Sequence, residues 1–148
     1  MAQSEVGYLW HGATTGAYRF DGVSFERIPE PEVKVTQSES ITASLALSLG
    51  DVWLGHLWAG ILVYRDGKLF NANLAPPHGV VRRIVQDRDG VNWVATDVVR
   101  LAGLLRDDHG KWDVPDAKWG LPKSHLKDIL AARNGTLTTA ARRGIRKI

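Results

Sequence analysis

The chain has 148 residues, of which 44% are apolar and 24% charged, with a formal net charge of +3. This composition is typical of a globular domain. Because cysteine is absent, disulfides, thiolate metal sites and thiol nucleophiles are excluded. No segment has the length and apolarity of a membrane span or the pattern of a signal peptide, so a soluble chain without membrane contact is expected.

An internal repeat is the main signal in the sequence. A glycine stands three residues before each of four anchor positions, which are Trp10, Trp53, Trp93 and Thr138, at intervals of 43, 40 and 45 residues. One four-stranded propeller blade uses about 40–45 residues. The spacing therefore predicts an all-β fold, a partial β-propeller of about three and a half four-stranded blades in one segment. The predicted blades are 1–35, 36–78, 79–122 and an incomplete 123–148.

Each copy is predicted to form short strands bounded by turn residues. The first strands are 41–47, 80–86 and 126–131, the second strands 8–10, 52–54 and 92–95, and the third strands 17–20, 61–64 and 101–105. Turns at 21–22, 66–67 and 109–110 lead to the outer strands, because their glycines accept a positive φ. Prolines at 29 and 76 end two outer strands. Segments 80–84 and 126–135 also fit an amphipathic helix, and the repeat favours strands there.

The three anchor tryptophans have a structural explanation in this fold. Neighbouring blades pack face to face, and a tryptophan buries about 150–250 Å² at such a contact. Burial in the blade interfaces is therefore the preferred interpretation of Trp10, Trp53 and Trp93, with ligand stacking as the alternative. Trp58, Trp112 and Trp119 lie outside this register.

The repeat resembles that of the two-component regulator propeller family. The segments GYLWHGATTGAYRFDGVSFERI, QDRDGVNWVATDVVRL and WGLPKSHLKDILAARNGTL carry the resemblance. It implies a periplasmic sensor region of a bacterial histidine kinase or diguanylate cyclase, which binds a small, sugar-derived molecule. No kinase or cyclase signature occurs in the chain, so a sensor fragment without its output domain is expected.

An open set of blades has consequences for association. A propeller closes as a ring of typically 4–8 blades, and three and a half blades leave two apolar faces uncovered. The expected partners are therefore further blades or a second copy of the chain. The basic residues near the C-terminus have no interleaved aromatic residues, which indicates a solvated edge and no nucleic-acid partner.

Catalytic and metal-binding motifs are not found. Asp87-Arg88-Asp89-Gly90 has the alternating carboxylates of a calcium loop, but no further oxygen ligands follow, and a β-turn is the better interpretation. The same stretch lacks the serine of a sialidase Asp-box. The five histidines form no metal-binding pair, and GATTG lacks the lysine of a phosphate loop. We therefore predict no catalytic residue, no metal and no cofactor.

The candidate ligand-binding residues are Trp58, Arg82 and Arg83, whose side chains suit a polar or sugar-like ligand. The alternative for each of them is a solvated position on a blade surface. Three functions stay open: a non-enzymatic sensory module, a propeller lyase that uses a channel histidine such as His11, His56 or His78, and a scaffold that completes another propeller.

Overall fold

A computed structural model describes residues 1–29, 40–47, 50–57, 60–72, 79–97, 103–115, 119, 125–141 and 144–148. The fifteen strands of this part of the chain form four antiparallel sheets, three of four strands and one of three. The chain divides into two compact units, residues 1–80 and 81–148, with two sheets in each. The predicted all-β class and partial propeller are thereby confirmed, and within the segments with an alternative helical pattern residues 81–84 and 126–131 are in strands.

The first unit holds two sheets. Sheet 1 consists of β1 (Ala2–Gln3), β2 (Leu9–Ala13), β3 (Gly16–Phe20) and β4 (Phe25–Arg27). Sheet 2 consists of β5 (Ile41–Ala46), β6 (Val52–His56), β7 (Ile61–Arg65) and β8 (Lys68–Asn71). In both sheets the strands neighbour one another in chain order, as in a blade.

The second unit repeats this arrangement. Sheet 3 consists of β9 (Val81–Gln86), β10 (Asn92–Thr96), β11 (Leu104–Asp108) and β12 (Lys111–Asp113). Sheet 4 consists of β13 (Leu126–Ala131), β14 (Leu137–Ala141) and β15 (Gly144–Lys147). One sheet falls within each predicted blade range, while the blade limits themselves stay predictions.

The same hydrogen-bonded turn joins the first two strands in all four sheets. It spans 4–8, 47–51, 87–91 and 132–136, and in each copy the amide of its first residue donates to the carbonyl of its fifth at 2.8–2.9 Å. The fourth residue is always glycine, with φ between +82° and +88°. An L side chain rarely adopts this φ, which explains why a glycine precedes each anchor by three residues.

In the first unit, the core lies between sheets 1 and 2. Trp10 is 2% exposed and packs with Ile41, Val52 and Leu62 from the second sheet. Its ring lies 4.6 Å from that of Tyr64. Gly12 is required nearby, because a Cβ at this position would lie 2.4 Å from the Ile41 side chain. The predicted burial of Trp10 between blades is confirmed.

In the second unit, the core lies between sheets 3 and 4. Trp93 is 3% exposed and packs with Leu104, Leu126 and Leu137. Thr138 replaces the anchor tryptophan in sheet 4, and it pairs with Leu130 and Lys147. Because Leu137 and Thr138 are successive strand residues, Thr138 faces away from the core that Leu137 enters.

One predicted strand is wrong in its limits. The third strand of sheet 3 was expected at 101–105, and it runs instead over Leu104–Asp108. The reason is Gly103, which has φ +73° and whose carbonyl accepts a hydrogen bond from the Thr96 amide at 2.7 Å. This residue completes the connection from β10, so the strand begins after it.

Candidate functional site

The first strands of sheets 2, 3 and 4 share an irregularity close to their N-terminal ends. Their register with the second strands shifts by one residue, which leaves Thr42, Arg82 and Lys127 as extra residues in three β-bulges. Each lies 11 residues before its anchor position, at 53, 93 or 138. Bulges re-aim side chains and are frequent beside binding sites. In the second unit, where sheets 3 and 4 pack on each other, this shared position makes the N-terminal ends of β9 and β13 the candidate site.

In sheet 3 the bulge turns two successive arginines toward solvent. The side chains of Arg82 and Arg83 are 47% and 55% exposed, whereas Val81 and Ile84 on either side are buried. A regular strand would alternate its side chains between the two faces. Both sequence-predicted arginines are therefore exposed on the same part of the surface.

Arg82 belongs to a hydrogen-bonded group at the end of β10. Its Nη2 donates to Asp97 Oδ2 at 3.2 Å, and Nδ1 of His125 lies 2.6 Å from the Asp97 carbonyl oxygen. A carbonyl accepts only from a protonated nitrogen, so Nδ1 of His125 carries a proton. Asp97 is thus held through both its side chain and its backbone.

Arg83 makes a longer contact with the neighbouring sheet. Its Nε lies 3.6 Å from Asp128 Oδ1, beyond the usual hydrogen-bond range, and both side chains are more than half exposed. Lys127 is exposed beside Asp128. We refer to Arg82, Arg83, Asp97, His125, Lys127 and Asp128 as the bulge cluster. It combines three basic side chains, two acidic side chains and a histidine.

The first unit has the same bulge with different chemistry. Thr42 occupies the bulge position and donates through Oγ1 to the carbonyl of Gly55 at 3.2 Å, and Ala43 follows it. His56 is fully buried at the end of β6, while His11 is exposed on β2. The two histidines are therefore differently placed, and within the described residues the first unit has no group comparable with the bulge cluster.

Sequence reasoning found part of this cluster. Arg82 and Arg83 were predicted and are brought together with acidic partners, while Trp58 lies outside the described residues. Asp97, His125, Lys127 and Asp128 were missed. The constant 11-residue offset from the anchor position was a usable signal for Lys127, since it aligns this residue with Arg82. His78 also lies outside the described residues.

The stretch that resembles a calcium loop lies in the turn at the other end of sheet 3. Asp87 Oδ1 accepts from the amides of Asp89 and Val91 at 2.9 and 3.0 Å. Its Oδ2 accepts from Trp93 Nε1 at 2.7 Å. Both oxygens therefore stabilise the turn and the anchor indole, which supports the β-turn interpretation. Across the described residues, no group of three or more histidine, aspartate or glutamate side chains is placed to hold a metal ion.

Comparisons with known proteins support the fold. No protein-family profile and no curated protein match the sequence. The chain is similar to the extracellular domains of BT4673 and BT3049 from B. thetaiotaomicron, both described as hybrid two-component system proteins. The identities are 17% and 23%, and the TM-scores are 0.77 and 0.75. It is also similar to virginiamycin B lyase from Staphylococcus aureus, with 16% identity and a TM-score of 0.71.

This chain corresponds to only part of each of the proteins that it matches. They cover 98–99% of this chain but only 20% of each extracellular domain and 53% of the lyase. The chain thus spans about a fifth of the length of the extracellular domains that it matches. In the described part of the chain no helix has the length and apolarity that crossing a membrane requires. At these identities the likeness concerns the fold, and the chain has the fold of a β-propeller segment.

Proposed function

We propose that this chain is part of a non-enzymatic, ligand-sensing β-propeller in a bacterial signalling receptor. The bulge cluster carries the proposal, because it gathers exposed hydrogen-bonding side chains from two neighbouring sheets at one end of their first strands. The ligand is a small, polar, sugar-derived molecule, and further propeller blades are the other partner. The periplasm is the proposed location.

The similarity to extracellular domains of two-component system proteins supports this proposal at the level of fold. The chemistry of the cluster supports it independently. Arginine side chains bind polar ligands through several N–H donors in a fixed geometry. In addition, Arg82, Asp97 and His125 tie the connection that follows β10 to the start of β13. A ligand that binds Arg82 therefore acts on a contact between two sheets, which is the kind of coupling that a sensor needs.

A panel of neutral and acidic mono- and oligosaccharides tests this function by thermal unfolding of the full chain. At least one member of the panel is expected to raise Tm, because a ligand that binds only the folded state stabilises it. The double substitution Arg82→Ala and Arg83→Ala is expected to abolish the increase. The matched control is Arg88→Ala with Arg133→Ala, which removes the same charge from exposed turn positions of the same unit. A panel without any Tm increase, or equal losses in both double variants, would contradict the proposal.

A lyase is the second candidate, and one observation favours it. The His125 ring is exposed, and its Nδ1 donates to the Asp97 carbonyl, so Nε2 is the ring nitrogen left to act as a general base in the neutral form. If the cluster catalyses elimination, incubation with the sugar that raises Tm yields an unsaturated product with new ultraviolet absorbance. His125→Gln would then abolish product formation, while the increase in Tm with the sugar would be reduced but still present. Absence of product supports the sensory function.

A further inference from the structure

The bulge cluster also indicates the chemical class of its ligand. We infer that this ligand carries an oxyanion, namely a carboxylate, sulfate or phosphate group, that binds between Arg82 and Lys127. This inference rests on the proposed function, because it specifies the ligand of the same site. It follows from the equivalent positions of the two residues, from the distribution of charge around them and from a comparison with the first unit.

The equivalent positions bring two cations to neighbouring strands. Arg82 and Lys127 are the extra residues of the bulges in β9 and β13, each the second residue of its strand. These strands belong to sheets that pack on each other within the second unit, and Arg83 contacts Asp128 across them. Arg82 and Lys127 therefore lie at the same level of two adjacent sheets, and both are exposed.

The acidic side chains in the cluster do not neutralise this charge. Asp97 accepts a hydrogen bond from one terminal nitrogen of Arg82, and an arginine has five N–H donors. Asp128 is 3.6 Å from Arg83, too far for a good hydrogen bond. Among the described residues no ion pair involves Lys127. Within the part of the chain that the structure describes, the cluster thus has two acidic and three basic side chains, and N–H donors of both arginines stay available for a planar or tetrahedral oxyanion.

The first unit shows that the bulge itself does not need a cation. Thr42 occupies the equivalent position, and its hydroxyl group donates to a backbone carbonyl. The register shift is the same in both sheets. Since the bulge forms with threonine, arginine or lysine, the cations at 82 and 127 are not required by its geometry. An anionic ligand gives them a role.

Isothermal titration calorimetry of the full chain tests the inference with two related sugars. Galacturonate carries a carboxylate, and galactose does not. Inorganic phosphate and sulfate are titrated in separate arms. We expect at least one oxyanion to bind, and galactose to bind about tenfold or more weakly than galacturonate. Arg82→Gln and Lys127→Gln are each expected to weaken oxyanion binding about tenfold or more, since each removes a charge-assisted hydrogen bond. Added salt is expected to weaken it further.

The controls are Arg88→Gln and Arg133→Gln, which remove a cation from the turns at the other ends of β9 and β13. Both are expected to bind like the unmodified chain, and far-ultraviolet circular dichroism shows whether each variant is folded. Loss of affinity in the bulge variants alone supports the site. Binding of phosphate or sulfate without binding of galacturonate also supports the site, provided that Arg82→Gln abolishes the phosphate or sulfate binding. The ligand would then carry a tetrahedral oxyanion.

Two results would overturn the inference. Equal affinities for galactose and galacturonate, both lost in Arg82→Gln, would show that the site takes neutral sugars, and the proposed sensory function would survive. The inference would also be overturned if none of the four probes binds while another, neutral member of the saccharide panel raises Tm. The site would then take neutral sugars, and the proposed sensory function would again survive. Failure of the whole panel would instead contradict the proposed function itself.

Discussion

The two ends of each sheet differ in how closely their structure is repeated among the four sheets. At one end, the turns 4–8, 47–51, 87–91 and 132–136 repeat the same two backbone hydrogen bonds and the same glycine conformation. At the other end, the second and third strands are joined by 14–15, 57–60, 97–103 and 142–143, which differ in length. The bulge residues there also differ: threonine, arginine and lysine.

We interpret the end with the repeated turns as the structural end of the sheets, and the end with the bulges as the candidate functional end. The repeated turn sets the register of the strands and, in sheets 1 and 3, places Trp10 and Trp93 at the sheet interface within each unit. Because that register is established at the turn, the opposite end tolerates different connections and different side chains. The bulge cluster lies at this second end, in agreement with the general location of binding residues in loops that a rigid scaffold supports. Three substitutions test this division.

The largest expected effect is at Gly103, on the variable end of sheet 3. A Cβ there would lie 2.9 Å from both Thr96 O and Leu126 N, which are backbone atoms, and φ is +73°. Gly103→Ala is therefore expected to lower the free energy of unfolding by about 2–5 kcal/mol, through overpacking and backbone strain. The matched control is Gly135→Ala, with φ +85° and open space around its Cβ, for which strain alone predicts about 1–2 kcal/mol. Urea titration followed by tryptophan fluorescence measures both. Equal losses would show that the close approach at Gly103 does not matter.

An intermediate effect is expected at Asp87, in the repeated turn of sheet 3. Asp87→Ala removes acceptors from two backbone amides and from the indole of Trp93. A loss of about 2–3 kcal/mol is expected, because the buried indole N–H is left without its acceptor. The control Asp89→Ala alters an exposed carboxylate in the same turn and is expected to change stability by less than about 0.5 kcal/mol. Urea unfolding gives the stability, and the indole N–H resonance of Trp93 reports the bond. An unchanged resonance would contradict the proposed role.

The smallest effect is a gain in stability at the equivalent turn of sheet 1. Ser4 has the position of Asp87, and within the described residues the buried Nε1 of Trp10 has no hydrogen-bond partner. Ser4→Asp is expected to supply one and to raise the free energy of unfolding by about 0.5–1.5 kcal/mol. The same substitution in a Trp10→Phe background is the control, since the gain should vanish without the indole N–H. A gain that persists in this background would have another cause.

Much of the fold follows from local patterns in the sequence. The glycine-to-anchor spacing predicted the repeat, because one short turn with a positive φ recurs at each glycine. The turn residues that bound each segment of the repeat then predicted most strands to within one or two residues. The third strand of sheet 3 was misplaced, since the position of Gly103 depends partly on its close approach to Leu126, which lies 23 residues further along the chain.

The candidate site was only partly predictable for the same reason. The sequence by itself determined that Arg82 and Arg83 stand at the start of a first strand, and that three anchors are tryptophans suited to burial between sheets. Only the tertiary structure decided that a bulge exposes both arginines and that Asp97 and His125 meet beside Arg82. A bulge is a property of the register between two strands, and the contact between Asp97 and His125 joins residues 28 positions apart. Neither leaves a local pattern in the sequence.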